Sequence, residues 1–335
     1  MKTEILPTHT AVLFAAAVRR AAELLHAGEV VALPTETVYG LAANALNERA
    51  VANIFKIKGR PSHNPIIVHV ASNEMARDCV AEWPVLAERF SRAFWPGPLT
   101  LVLPRAKQIP DVVAAGGATV GVRWPRHPFM QAVIRACDFP LAAPSANLSN
   151  QISPTSAEHV RSQLTGKIPL IVDGGQSQVG IESTVLDLTV SPPRILRPGM
   201  IHAESLAAVV GNIQHPTSNI QHPMLRSPGL LAKHYSPKAK LVVLNWSDEA
   251  DLKFQISNFK FQIPRCHVIA HTKIPLGLGA ENVSVIPHDA EAFARALYGE
   301  LHRCDAAGAE LIVVEAPPET PDWSGIADRL QRAAA

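Results

Sequence analysis

"KIKGRPSHNPIIVHV", residues 56–70, sets three cations within five positions, then breaks the chain with a glycine and two prolines before an apolar run. Upstream, "AVANIF" places Val51, Ile54 and Phe55 at about one-turn spacing, so a helix is expected to run to Lys58 and stop at Gly59 and Pro61. Downstream, "PIIVHV" reads as a strand. Helix, turn and strand in that order make a piece of an α/β layer. Arg60 is left in the turn, where a planar guanidinium can grip phosphate oxygens. The plainer reading is that Lys56, Lys58 and Arg60 complement the negative end of the helix dipole.

The same rhythm extends in both directions. "EVVALP", "LTLVLP", "ATVGVRWP", "PLAAPSAN", "PLIVDGG", "STVLDLT" and "PRILRPG" read as strands; "VLAERFSRAFW", "HPFMQAVIRAC" and "AEHVRSQLTG" read as helices. Few strands alternate cleanly, which implies burial on both sheet faces. We expect an α/β domain over 1–206 and a Pro- and His-rich linker over 207–237. A second α/β domain over 238–335 follows, built on a small parallel sheet. The echoes "NIQHP" at 212–216 and 219–223 and "KFQISNFKFQI" at 253–263 read as loop insertions. Neither GxGxxG nor GxxxxGK[ST] occurs, so a nucleotide site must be built in another way.

With 335 residues, 47 % of them apolar, and a formal net charge of +2, the chain is no polycation. That balance disfavours a broad nucleic-acid or membrane surface and favours a local anion site. Cys79, Cys137, Cys266 and Cys304 form no CxxC pair and read as reduced packing residues, which points to the cytoplasm. The apolar run Ala11–Val18 continues into "RRAAELLHAGE", so an amphipathic helix from a Thr10 cap to Gly28 is expected rather than a cleaved signal. No stretch reaches the ~20 apolar residues of a membrane span.

Small polar clusters recur at strand ends. "LPTETVYG" sets Thr35, Glu36 and Thr37 beyond a strand, with a helix N-cap as the plain reading. "APSANLS" carries Ser145 and Asn147 in a turn, "GIESTVLDL" carries Glu182, Ser183 and Thr184 at a strand start, and Thr119 and Arg123 fall on one side of one strand. Together with "KIKGRP" they suit a pocket for a small anionic ligand.

In sequence order, "LPTETVYGLAANA", "KIKGRPSHNPIIVHV", "FWPGPLTLVL", "TVGVRWPRHP", "APSANLSNQISPT", "DGGQSQVGIESTVLDL" and "ILRPG" resemble the motifs of the YrdC-type threonylcarbamoyl-AMP synthase family. "SPGLLAKHYSP", followed by an α/β unit, resembles its longer, two-domain branch. The resemblance implies a twisted mixed-sheet catalytic domain, an active-site lid in the linker and a smaller Rossmann-like domain with a parallel sheet. It implies a nucleotidyltransferase that joins L-threonine, bicarbonate and ATP, with Mg2+, into threonylcarbamoyl-adenylate and pyrophosphate. The adenylate would pass to a transferase that modifies tRNA beside the anticodon. The Lys58-x-Arg60 and Ser145-x-Asn147 pairs correspond to its phosphate motifs. Asn64, Thr119, Ser153, Arg197 and Tyr235 correspond to ATP-binding positions. Thr37, His69, Arg123, the backbone of Ala143, and Ser183 correspond to threonine-binding positions. No protein-held metal is expected. Two other classes fit the sequence less well. An RNA-binding module of the same fold is disfavoured by the near-neutral charge and the lack of an aromatic platform. A carbamoyl-transfer enzyme of the hydrogenase-maturation type lacks its CxxC pairs here.

Overall fold

The computed structural model describes residues 2–214, 234–259 and 265–335. The chain divides into two units: Met1–Ser149 with Ser153–Leu230, and Asn150–Ile152 with Leu231–Ala335. The first comprises, in chain order, β1 (Glu4–Pro7), α1 (Ala11–His26), β2 (Val31–Leu33), β3 (Gly40–Asn44), α2 (Glu48–Lys58), β4 (Val68–His69), α3 (Asn73–Asp78) and α4 (Val85–Phe94). After these come β5 (Leu99–Pro104), β6 (Thr119–Arg123), α5 (Pro128–Cys137), β7 (Leu141–Ala142), α6 (Ala157–Leu164), β8 (Leu170–Asp173), β9 (Thr184–Asp187), β10 (Arg194–Arg197) and α7 (Ala203–Val210).

Helix α2 forms where the sequence predicts it. Asn47 Oδ1 accepts from the backbone N of Arg49 and Ala50, both at 3.1 Å, which satisfies two orphan donors. Gly59 ends the helix at φ +61°, a left-handed conformation that glycine adopts without a Cβ clash. The ten strands pair in the order β1-β8-β2-β3-β7-β4-β6-β5-β9-β10, with parallel and antiparallel neighbours mixed.

Strand periodicity sorts the side chains into two faces. Ala32, Leu41, Val68, Leu99, Leu101, Leu103, Val120 and Val122 join one core with Val51 and Ile54 of α2, Phe90 of α4, Val160 of α6 and Leu206 of α7. On the opposite face, Val31, Leu33, Ala42, Leu141, Leu170 and Val172 pack on Ala21 and Leu25 of α1 and Phe129 and Val133 of α5. That second core covers β8, β2, β3 and β7. Beyond it the same face carries a small apolar group, Val102, Val185 and Leu196. The rest of this stretch is a row of polar positions: His69, Thr119, Arg123, Thr100 and Ser183. Register puts them on one side: His69 lies beside Arg123 in the β4–β6 pair, and Gly121 lies opposite Val102.

Several expectations are corrected. Thr35–Thr37 cap no helix. The segment leads into β3, and Thr35 Oγ1 instead accepts from Thr37 N at 3.2 Å and Val38 N at 3.3 Å, closing a tight turn. "PIIVHV" is regular strand only at Val68 and His69, with Ile66, Ile67 and Val70 making single backbone hydrogen bonds on either side. The linker expected from Ala207 begins inside α7, whose apolar Leu206 anchors that helix to the first core. Residues 215–233 of the expected linker and lid, including the end of the first "NIQHP" copy and all of the second, lie outside the described residues.

In the second unit, β11 (Lys240–Leu244), α8 (Glu249–Ser257), β12 (Cys266–Ala270), β13 (Val283–Val285), α9 (Ala290–Ala306), β14 (Leu311–Glu315) and α10 (Ser324–Ala334) follow in order. The sheet is wholly parallel, β11-β14-β12-β13, as the alternation of strands and helices predicts. Lys253–Ser257, read as part of a loop insertion, is the end of α8, because Leu252 and Ile256 bury one turn apart. All four cysteines are buried and unbridged. No described helix is long and apolar enough to cross a membrane.

Candidate functional site

Lys58, the last residue of α2, is 3 % exposed. Its Nζ donates to Ser145 O at 2.6 Å, to Asn147 O, and to Asn147 Oδ1 at 3.2 Å. Burial, and then the neighbouring Arg60 charge, pushes its pKa well below the usual lysine range. Three acceptors exceed the two N–H groups of a neutral amine, so the hydrogen bonding favours the ammonium against that desolvation. All three are uncharged oxygens, and an arriving anion would supply the counter-charge they lack. Ser149 N donates back to Lys58 O at 2.8 Å, which fastens the helix end to the Ser145–Ser149 turn. Arg60 spans the following turn, with Nε on Asn64 O at 3.0 Å and Nη2 on Pro65 O at 2.7 Å. Asn64 is fully buried, and neither atom of its amide has a partner among the described residues, leaving a donor and an acceptor for a ligand.

The turn after β7 joins this cluster to the loop between β2 and β3. Leu41 N donates to Pro144 O at 2.7 Å and Ala146 N to Tyr39 O at 2.8 Å. A Cβ on Gly40 would stand 3.3 Å from Ala143 Cβ, so glycine permits the close approach. From the same loop Thr37 and Glu36 meet Arg123. Nη1 donates to Thr37 Oγ1 at 2.9 Å, Nε to Gly97 O at 3.2 Å, and Nη2 forms an ion pair with Glu36 Oε1 at 2.7 Å. Burial alone would raise the Glu36 pKa. The Arg123 charge, followed by hydrogen bonds from the Arg126 backbone and Arg123, outweighs it and leaves the carboxyl below its usual range. His69, in register with Arg123, is pushed down to about 3 by burial and then by Arg123, and so is neutral at ordinary pH.

On the far strands, Ser183 Oγ lies 2.8 Å from Thr100 Oγ1. Arg197 Nε donates to Ser183 O and Nη2 to Ser183 Oγ, each at 3.1 Å. A register slip between Ile195 and Arg197 makes this contact, setting Arg197 opposite Val185 on the polar face. Ser153 Oγ donates to Glu182 Oε1 at 2.6 Å, with both side chains buried. Thr119 is half-buried at the head of β6, on the Arg123 side. Between them Gly121 has no side chain; a Cβ there would come 3.1 Å from Thr100 Cγ2.

Residues 23–199 match the family profile described as "Telomere recombination", and residues 201–335 match "Threonylcarbamoyl-AMP synthase, C-terminal domain". Threonylcarbamoyl-AMP synthase of Pyrococcus abyssi is 40 % identical over 94 % of this chain and 93 % of its own length. The chain belongs to the threonylcarbamoyl-AMP synthase family. The Bacillus subtilis synthase is 41 % identical over 95 % of this chain and 92 % of its own. A crystal structure of the Pyrococcus abyssi protein complexed with L-threonine superposes with a TM-score of 0.91, covering 99 % of this chain and 98 % of that one at 38 % identity.

Within this member of the synthase family, the expected residues fall into linked groups: Lys58 with Ser145 and Asn147, Arg60 with Asn64, Thr37 with Arg123, and Ser183 with Arg197. Tyr235 belongs to the second unit, where its ring centroid lies 5.9 Å from that of Tyr298 and 5.4 Å from the Arg329 guanidinium. Sequence reading missed Thr100 and Gly121. Their signals are a lone hydroxyl in the apolar strand "LTLVL" and a glycine inside "TVGVR", the sign of a close approach. Among the described residues no three His, Cys, Asp or Glu side chains gather to hold a metal.

Proposed function

We propose that this protein condenses L-threonine, bicarbonate and ATP into threonylcarbamoyl-adenylate, with release of pyrophosphate. The observation that carries the reading is Lys58, a buried cation facing uncharged oxygens, beside a second cation, Arg60. A triphosphate is the anion such a pair fits. Lys58, Arg60, Ser145 and Asn147 take the phosphates, with Asn64, Thr119, Ser153 and Arg197 around the nucleotide. Arg123 takes the threonine carboxylate, with Thr37, His69, Ser183 and the Ala143 backbone about the remaining groups. Mg2+ would accompany ATP, whose phosphate oxygens are its ordinary ligands.

The amine nitrogen of threonine bonds to the carbon of bicarbonate, and water leaves. An oxygen of the carbamate then bonds to the α-phosphorus of ATP as the bond to pyrophosphate breaks. Negative charge moves onto the leaving group, where Lys58 and Arg60 stabilise it without any covalent step on the protein. The neutral His69 adds no competing charge beside the carboxylate. The adenylate is then the substrate of a transferase acting on tRNA in the cytoplasm. Mass-spectrometric detection of the adenylate tests the reading. It should form only when threonine, bicarbonate and ATP are all present, and formation without threonine would overturn the assignment.

A further inference from the structure

Glu36 carries no part in the reaction as written, yet it is 4 % exposed and paired with a deeply buried arginine of the polar face, Arg123, itself 3 % exposed. Burying a charge pair is costly, and removing one partner costs more, so an apolar pair would serve packing as well. The loop is built to hold Glu36 inward. Thr35 turns it, Ser177 Oγ donates to Thr35 O at 3.0 Å, and Val179 N donates to Glu36 O at 2.7 Å. We propose that Glu36 is a positioning and specificity-determining residue that makes the Arg123 pocket select a zwitterionic amino acid over a plain carboxylate.

The proposal rests on the reading of Arg123 as the partner of the substrate carboxylate. Each of its three nitrogens faces one oxygen, on Gly97, Thr37 and Glu36. Nε and Nη1 each donate one hydrogen bond and Nη2 meets Glu36 as an ion pair, so at least one N–H on each terminal nitrogen remains, enough for both oxygens of a carboxylate. Glu36 fixes the plane of that fork. It also cancels the charge. The titratable neighbours His69 and His127 are both shifted down, chiefly by burial, and are neutral above the ordinary histidine range. A monoanion entering this neutral pair leaves one net charge in a poorly solvated site, whereas a zwitterion adds none. Without Glu36 the bare guanidinium would attract any carboxylate.

Calorimetric titration of the full chain without ATP tests this, using L-threonine and β-hydroxybutyrate, the same acid without the amine. The native protein should bind threonine and discriminate against β-hydroxybutyrate. Glu36→Gln, nearly isosteric, should weaken threonine and strengthen β-hydroxybutyrate, each on the order of tenfold, about 1.4 kcal/mol. Glu36→Asp should restore the preference for threonine. Equal changes for both ligands in Glu36→Gln, or none, with an unchanged melting temperature, would overturn the proposal and leave a structural ion pair. Native protein that binds neither ligand would instead overturn the underlying reading of Arg123.

Discussion

Lys58 is held by what surrounds it rather than by a counter-charge, so its removal is felt twice. Lys58→Ala leaves the oxygens of Ser145 and Asn147 buried without their donor, at about 1–3 kcal/mol. A melting scan should therefore show a loss of several degrees. Turnover should fall roughly a hundredfold or more, beyond what the stability loss explains. Lys58→Arg should not rescue it, because a planar fork cannot reproduce three donors around one nitrogen. His69 yields a pH prediction. Its folded pKa, about 3, lies below the ordinary 6.5, so the unfolded chain binds the proton first. Stability from this group is complete above pH 6.5 and declines as pH falls toward 3, by up to about 1.4 kcal/mol per unit. Urea titrations at several pH values should show a flatter acid limb for His69→Gln than for the native protein. Equal slopes would exclude His69 as the source.

Among the elements, α2 was legible because its signals are local: an Asn47 cap, apolar spacing, and a glycine at the end. The small parallel sheet of the second unit was legible for a similar reason, since alternating strand and helix patterns leave few topologies. What was hidden depends on distant partners. The strand β3 reads as "GLAAN", with no β-branched residue, and forms because Ala42 and Ala43 fit between β2 and β7. The inward turn of Glu36 is set by Ser177 and Val179, far along the chain. The slip that brings Arg197 to Ser183 has no sequence signal, but Gly199 supports it. A Cβ at Gly199 would fall 2.6 Å from Thr184 N and 2.9 Å from Glu182 O, both backbone atoms that cannot swing away. Gly199→Ala should cost about 1–3 kcal/mol and displace Ser183, seen as a lower melting temperature and weaker threonine binding. Normal binding at unchanged stability would show that this strand end does not set the site.

At the scale of the molecule, two cationic groups stand apart in kind. Lys58 and Arg60 end a helix and face neutral oxygens, whereas Arg123 lies on the sheet and is already neutralised by Glu36. The first suits a polyanion and the second a zwitterion, the two kinds of substrate that the proposed reaction joins. The family resemblance supplied Lys58, Arg60 and Arg123 from the motifs alone, but not Glu36. The ion pair at Arg123 and the row of polar positions along one sheet face needed the fold, because strand order brings them together.

The most direct test of this division is pyrophosphate release, with threonine and bicarbonate omitted in turn, for the native protein, Lys58→Ala and Arg123→Lys. Release should require both co-substrates. Lys58→Ala should depress kcat and saturation by ATP, while Arg123→Lys should raise the KM for threonine at least tenfold with the KM for ATP little changed. Release without threonine, or identical defects in the two variants, would contradict the account.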